Sequence, residues 1–266
     1  MTIKKTTLQK LFTIGFTAKG VVYFLIGFFA VATLIGLAKA GANGPKAIIE
    51  WLGTNPFGNI LMGLIGLGLL AYSAYRIIQS VADVDDKGHD AGGLVRRGAW
   101  FISGLSYATL AFFAFREIFR GGGTNNSGQE GMKHDMIAQL LQLSWGQIAV
   151  GILAGVFVIV AGYQAYRGLS NEHMKKIKSQ GMPQEEEDTF RLTGKIGLLA
   201  RAVVFGIVAY FLYRAAVLDD PSKFKGVGDS LQYLKNGWGT FALVLMGVGL
   251  LAYGSFMFVR ARFEEV

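Results

Sequence analysis

Three cations and three tyrosines recur at matching places in this chain of 266 residues. Lys19, Arg97 and Arg201 each stand where an apolar stretch opens, and Tyr72, Tyr163 and Tyr253 each stand where the following stretch closes. Held at one depth, such groups could form a cationic collar beside a tyrosine layer, selecting anions or gripping phospholipid headgroups. The plainer chemistry is anchoring, with each cation holding a helix end at the membrane surface and each tyrosine in the aromatic belt there. A shared site requires the three cations to converge, and anchoring requires them to point outward.

The spacing is that of a triplicated helical hairpin. Gly15-Phe16-Thr17-Ala18-Lys19-Gly20-Val21-Val22-Tyr23 is matched 182 residues later by Gly197-Leu198-Leu199-Ala200-Arg201-Ala202-Val203-Val204-Phe205, and Arg97-Gly98-Ala99-Trp100-Phe101 is the more diverged middle copy. The second stretches open with Phe57-Gly58, Trp145-Gly146 and Trp238-Gly239, and their closing tyrosines lie 91 and 90 residues apart. A fixed period with the same punctuation at both ends marks tandem repeats. The repeats cover about residues 10–82, 92–170 and 190–262 of one membrane domain spanning 1–266.

Composition identifies the solvent. Hydrophobic residues are 52% of the chain, charged residues 17%, and glycines number 37; the mean hydropathy is +0.40. This is the composition of an integral membrane protein. Six apolar segments approach the roughly 17 to 25 residues that cross a hydrocarbon layer of about 30 Å. They are predicted near Val21 to Ala38, Gly58 to Ile78, Ala99 to Phe115, Gln147 to Ala165, Ala202 to Leu218 and Thr240 to Val259. None alternates with period two, and Pro45, Pro56, Pro183 and Pro221 all fall in connections, so unbroken helices are expected. The fold class is all-α: six transmembrane helices as three parallel hairpins in a pseudo-threefold bundle. The first span reads as retained, because its apolar run is too long for a cleaved leader.

Of the 26 basic residues, 17 lie on the side that holds the termini and the linkers between repeats. The positive-inside rule then places both termini in the cytoplasm, and the net charge of +8 fits anionic headgroups on that side. A nucleic-acid partner is not expected, since no compact basic patch is interleaved with aromatics. Short amphipathic stretches, Ala47 to Leu52, Met136 to Leu141 and Ser230 to Leu234, precede the second spans and read as interfacial helices. Leu8, Leu11 and Phe12 are assigned a similar role.

The motifs that carry the repeat are also those of a known family. Lys19-Gly20-Val21-Val22-Tyr23, the turn Pro56-Phe57-Gly58, and Gly68-Leu69-Leu70-Ala71-Tyr72 with its copy Gly249-Leu250-Leu251-Ala252-Tyr253 resemble the bacterial membrane family catalogued as domain of unknown function 1206. The resemblance covers nearly the whole chain and implies a bacterial plasma-membrane protein of three tandem two-helix repeats. It implies no activity. Repeat two departs from the pattern, with Ser144-Trp145-Gly146 in place of the proline turn.

Catalytic chemistries find few residues. There is no cysteine, and the histidines are only His89, His134 and His173, all in connections, so thiolate, haem and helical histidine-metal sites have no ligands. Asp83 to Asp90 opens like a calcium loop but has Lys87 at a ligand position and Leu94 in place of the closing glutamate. It reads as a solvated linker. Neither a phosphate-cradling loop nor a nucleophile elbow is present. The glycines, including Gly151 and Gly155, read as helix-packing positions. The expectation is a non-enzymatic scaffold or accessory protein, without cofactor or metal, that binds lipid or a protein partner. The alternative is a small channel or transporter along the pseudo-threefold axis, and a membrane enzyme is the third reading, which a polar cluster assembled from separate helices would favour.

Overall fold

The computed structural model describes residues 5–32, 57–119, 136–175, 177 and 183–264. Six long helices account for nearly all of them: α1 (Lys5–Ala32), α2 (Gly58–Val81), α3 (Ala91–Phe119), α4 (Gly146–Leu169), α5 (Gln184–Leu218) and α6 (Val227–Phe263). All six are long and apolar enough to cross a membrane, and the described residues contain no strand beyond one isolated bridge between Ile177 and Glu264. The chain is a six-helix membrane protein.

Local chemistry sets the helix boundaries. Phe57 and Trp145 are the residues from which α2 and α4 start, as their pairing with glycine predicts. The third such pair does not end a helix. Instead α6 runs through Trp238 and bends at Gly239, whose φ of 81° places it where side-chain-bearing residues are strained. Residues 136–141 are helical, and Ile137 and Leu141 pack on Val208, Leu212 and Ala216 of α5. Leu231 is likewise fully buried, in a core with Ile26, Met62 and Leu243. These two amphipathic stretches therefore turn their apolar residues onto the bundle, while Ala47 to Leu52 lies outside the described residues. Leu8 and Phe12 correct an expectation: they belong to a continuous α1 and are buried against Tyr75 of α2 and Ala261 of α6.

The packing order is α3, α2, α1, α6, α5, α4, each helix against the next. Three rotated hairpins would give this cyclic order with one more contact, between α3 and α4. Among the described residues those two helices do not form a packed pair, so the ring is open inside repeat two. Small residues draw α1 and α6 together at the opposite side, where Gly20 meets Gly254 and Gly27 meets Gly247 backbone to backbone. Two hydrogen bonds also tie these helices: Gln9 Nε2 donates to the Glu264 carbonyl at 3.0 Å and Thr13 Oγ1 to the Ala261 carbonyl at 3.2 Å.

The two closed hairpins share one contact set. In α1–α2, a Cβ on Gly68 would fall 2.2 Å from the Ala18 Cβ; in α5–α6, a Cβ on Gly249 would fall 2.4 Å from the Ala200 Cβ. Aligned on its own cation and tyrosine, repeat two has Arg96 and Ile159 at these positions. Both are exposed. The middle hairpin thus lacks the small-residue contact that closes the other two.

Candidate functional site

Lys19 lies within α1 and is 5% exposed. Its Nζ donates to Tyr72 Oη at 3.1 Å, and Arg76, one turn further along α2, donates from Nε to the same oxygen at 2.8 Å. Rings surround the ammonium: it lies 4.8 Å from the centre of the Tyr72 ring, 5.3 Å from Tyr107 and 5.8 Å from Tyr253. A desolvated contact of this kind stabilises a cation by about 2 kcal/mol. The glycine register makes the pairing possible, because Gly15 lets α1 pass against the backbone of Tyr72.

Arg201, the central residue of α5, repeats the arrangement at 8% exposure. Its Nη1 donates to Tyr253 Oη, and its guanidinium lies 4.5 Å from the Tyr253 ring, 4.8 Å from Phe205 and 5.1 Å from Tyr23. Gly197 supplies the matching close approach to Tyr253. One donor is left over: Arg201 Nε is buried and has no hydrogen-bond partner. A buried donor without an acceptor costs about 1–3 kcal/mol, more when charged.

The two halves are one centre. Lys19 and Arg201 both face the Tyr253 ring, and Tyr23 stacks edge-on to it at 4.8 Å. Helices α1, α2, α5 and α6 therefore contribute, and α3 adds Tyr107, whose ring lies 4.5 Å from Tyr72. From the other lip of the opening, Phe157 of α4 reaches Phe205 at 5.9 Å. Among the described residues, no carboxylate lies within ion-pair distance of Lys19, Arg76 or Arg201; the nearby Arg260, stacked on Phe16, is paired with Glu264. Cations that stay unneutralised in an apolar setting attract an anion. This is a polar cluster drawn from separate helices, built of cations and phenols, with neither a carboxylate nor an imidazole among its members.

The six residues singled out by the repeat thus divide. Lys19, Tyr72, Arg201 and Tyr253 converge, and all are buried rather than anchored at the surface. Arg97 does not join them. It binds the end of α2, donating from Nε to the Ser80 carbonyl at 2.8 Å and from Nη2 to the Val81 carbonyl at 3.1 Å, where a cation also meets the negative end of the helix dipole. Tyr163 is 59% exposed on α4, its ring approached by Arg167. With α3 and α4 apart, the middle copy of the cation-tyrosine pair is never assembled.

Arg76 and Tyr107 are participants that the period alone does not mark, while Tyr23 stands in the repeat motif at the place of Phe205. Arg76 carried a signal, since it follows Tyr72 by one helical turn. His173, read as a loop residue, is buried between α4 and α5, with Nδ1 2.9 Å from the Arg167 carbonyl and Nε2 3.1 Å from the Arg191 carbonyl. The Asp83 to Asp90 segment is a turn. Asp83 accepts from the Lys87 and Gly88 amides at 2.9 and 2.8 Å, and these bonds, with Arg97 at 3.7 Å, hold its carboxyl below the usual carboxylate range. Among the described residues, no three His, Asp or Glu side chains are grouped to hold a metal ion.

The sequence has relatives. The chain belongs to the family described as Domain of Unknown Function (DUF1206), whose model matches residues 14–83, 99–171 and 196–264. It is similar to the uncharacterized protein YxxB of Bacillus subtilis (strain 168), at 27% identity over 263 residues, covering 98% of this chain and 93% of that protein. No solved structure matches it.

Proposed function

We propose, taking that membership as the starting point, that this protein is a non-enzymatic membrane protein that binds a membrane lipid in the cleft between α3 and α4. The observation that carries this reading is the opening of the ring inside repeat two among the described residues, where Arg96 and Ile159 replace the small residues of the other hairpins. Each lip sends one aromatic inward, Tyr107 from α3 onto Lys19 and Phe157 from α4 onto Phe205 beside Arg201. A lipid diffusing in the bilayer can enter such an opening sideways, with its chains between the lips. The mainly basic face that carries both termini supports a plasma-membrane location with termini in the cytoplasm.

A lipid-extraction experiment tests this. The protein is purified in mild detergent, and bound lipid is counted by native mass spectrometry in the wild type and in a variant with bulky Trp replacing Phe157. One retained lipid in the wild type and none in the blocked variant is the expected result. Equal retention in both would remove the cleft from consideration.

A second reading, capture of a partner's transmembrane helix, is favoured by one observation: none of the described residues lies within 4 Å of a Cβ at Gly151 or Gly155 on α4, positions that allow close helix approach. A central passage has less support, because Phe16, Tyr72 and Tyr253 fill the middle of the bundle.

A further inference from the structure

We infer that the Lys19–Arg201 centre holds a phosphate-type oxyanion, an inference that rests on the lipid-binding reading and names the group bound. Two buried cations converge there, no described carboxylate neutralises them, and Arg201 Nε is a buried donor with no acceptor. A guanidinium presents its donors in a planar fork that fits phosphate oxygens, and an ammonium adds a compact charge beside it. Neither phenol serves Arg201 Nε: Tyr72 Oη accepts from Lys19 and Arg76, and Tyr253 Oη accepts from Arg201 Nη1, while Nε itself bonds to neither.

Depth sets a condition on a headgroup phosphate. Tyr72 follows Gly58, the first residue of α2, by fourteen residues, about 21 Å at 1.5 Å per residue. With exposed Phe57 marking one boundary of a hydrocarbon layer of about 30 Å, Tyr72 lies in the third nearest the face that carries the chain ends. A phospholipid of that leaflet, entering between α3 and α4, reaches this level with its phosphate drawn about 9 Å inward of the hydrocarbon boundary toward the buried cations. Free phosphate arriving from the aqueous side would present the same chemistry.

The test separates these sources. The full-length protein is delipidated in detergent and offered phosphatidylglycerol, diacylglycerol or inorganic phosphate, with retention read by native mass spectrometry and melting temperature read in parallel. The expected result is retention of phosphatidylglycerol over diacylglycerol by more than tenfold, lost by at least tenfold in Arg201→Met and Lys19→Met, because removing one partner of a buried charge contact costs several kcal/mol. Arg201→Lys, which keeps the charge but not the planar fork, maintains the assay if Arg201→Met fails to fold, and it is expected to retain the lipid partially. Stabilisation by inorganic phosphate with no lipid retained would keep the oxyanion and overturn the lipid. Equal retention of diacylglycerol and phosphatidylglycerol, unchanged in the Lys19 and Arg201 variants, would keep the cleft lipid and overturn the oxyanion. Retention of none of the three probes would overturn both.

Discussion

Gly197 and Tyr253 repeat in α5–α6 the backbone contact that Gly15 and Tyr72 make in α1–α2: a Cβ on either glycine would fall 2.4 or 2.5 Å from the tyrosine Cα. No side chain fits there without moving the helix that carries the tyrosine, and the tyrosine is what receives the cation. Gly15→Ala and Gly197→Ala should therefore each cost about 1–3 kcal/mol by overpacking. Gly151→Ala and Gly155→Ala meet no neighbour among the described residues and should stay within about 0.5 kcal/mol of wild type. Thermal unfolding of the four variants in one detergent checks the contrast.

Restoring small residues at positions 96 and 159 should close the ring. Leu94 and Tyr166 occupy, in repeat two, the places of Phe16 and Tyr75, whose rings lie 6.2 Å apart in repeat one. Spin labels at 94 and 166 should report a broad, long separation in the wild type. In the Arg96→Ala/Ile159→Gly variant the separation should shorten toward that of a packed helix pair, about 8–10 Å between axes. An unchanged distance would mean that something other than these two side chains holds the lips apart.

His173 ties the start of α5 to the end of α4 through two carbonyls. His173→Ala removes the imidazole that fills this buried place and the N–H that it donates to one of the two carbonyls, and should cost about 1–3 kcal/mol. Hydrogen exchange should show the loss at the junction of α4 and α5, leaving the α1–α2 hairpin protected.

Acid should reach the Asp83 turn late. Because its folded pKa is depressed, the stability that Asp83 adds is complete above its unfolded value of about 3.9. It is lost only as pH falls through the lower folded value. An NMR titration of the carboxyl should place its midpoint below 3.9, and Asp83→Asn should remove the acid-dependent part of the change in the Lys87 and Gly88 amide signals.

Much of this fold can be read from the residues, because tandem repeats expose their punctuation: the cation, the aromatic-glycine turn and the closing tyrosine recur in register. The convergence of Lys19 and Arg201 was half legible. Period marks the residues, yet burial depends on Gly15, Gly68, Gly197 and Gly249 acting together across helices. The separation of Arg97 from Tyr163 was written in Arg96 and Ile159. Those two acquire meaning only once Ala18 and Gly68 are seen to touch. Leu8 and Phe12 misled because an apolar face looks alike to lipid and to a neighbouring helix. His173 gave no signal, since its partners are backbone carbonyls with no side-chain identity.

The seam between α1 and α6 has a consequence for biosynthesis. Gln9 and the carbonyl that it binds are 255 residues apart, a stretch that takes about 10–50 s to synthesise at 5–20 residues per second. Throughout that interval the Gly20 and Gly27 face of α1 lacks its α6 partner, and small residues leave it open to close approach by another helix. The molecule is therefore most exposed to mispairing while it is being made, and shortening the delay by supplying α6 early, as a separate fragment, should raise the yield of assembled protein.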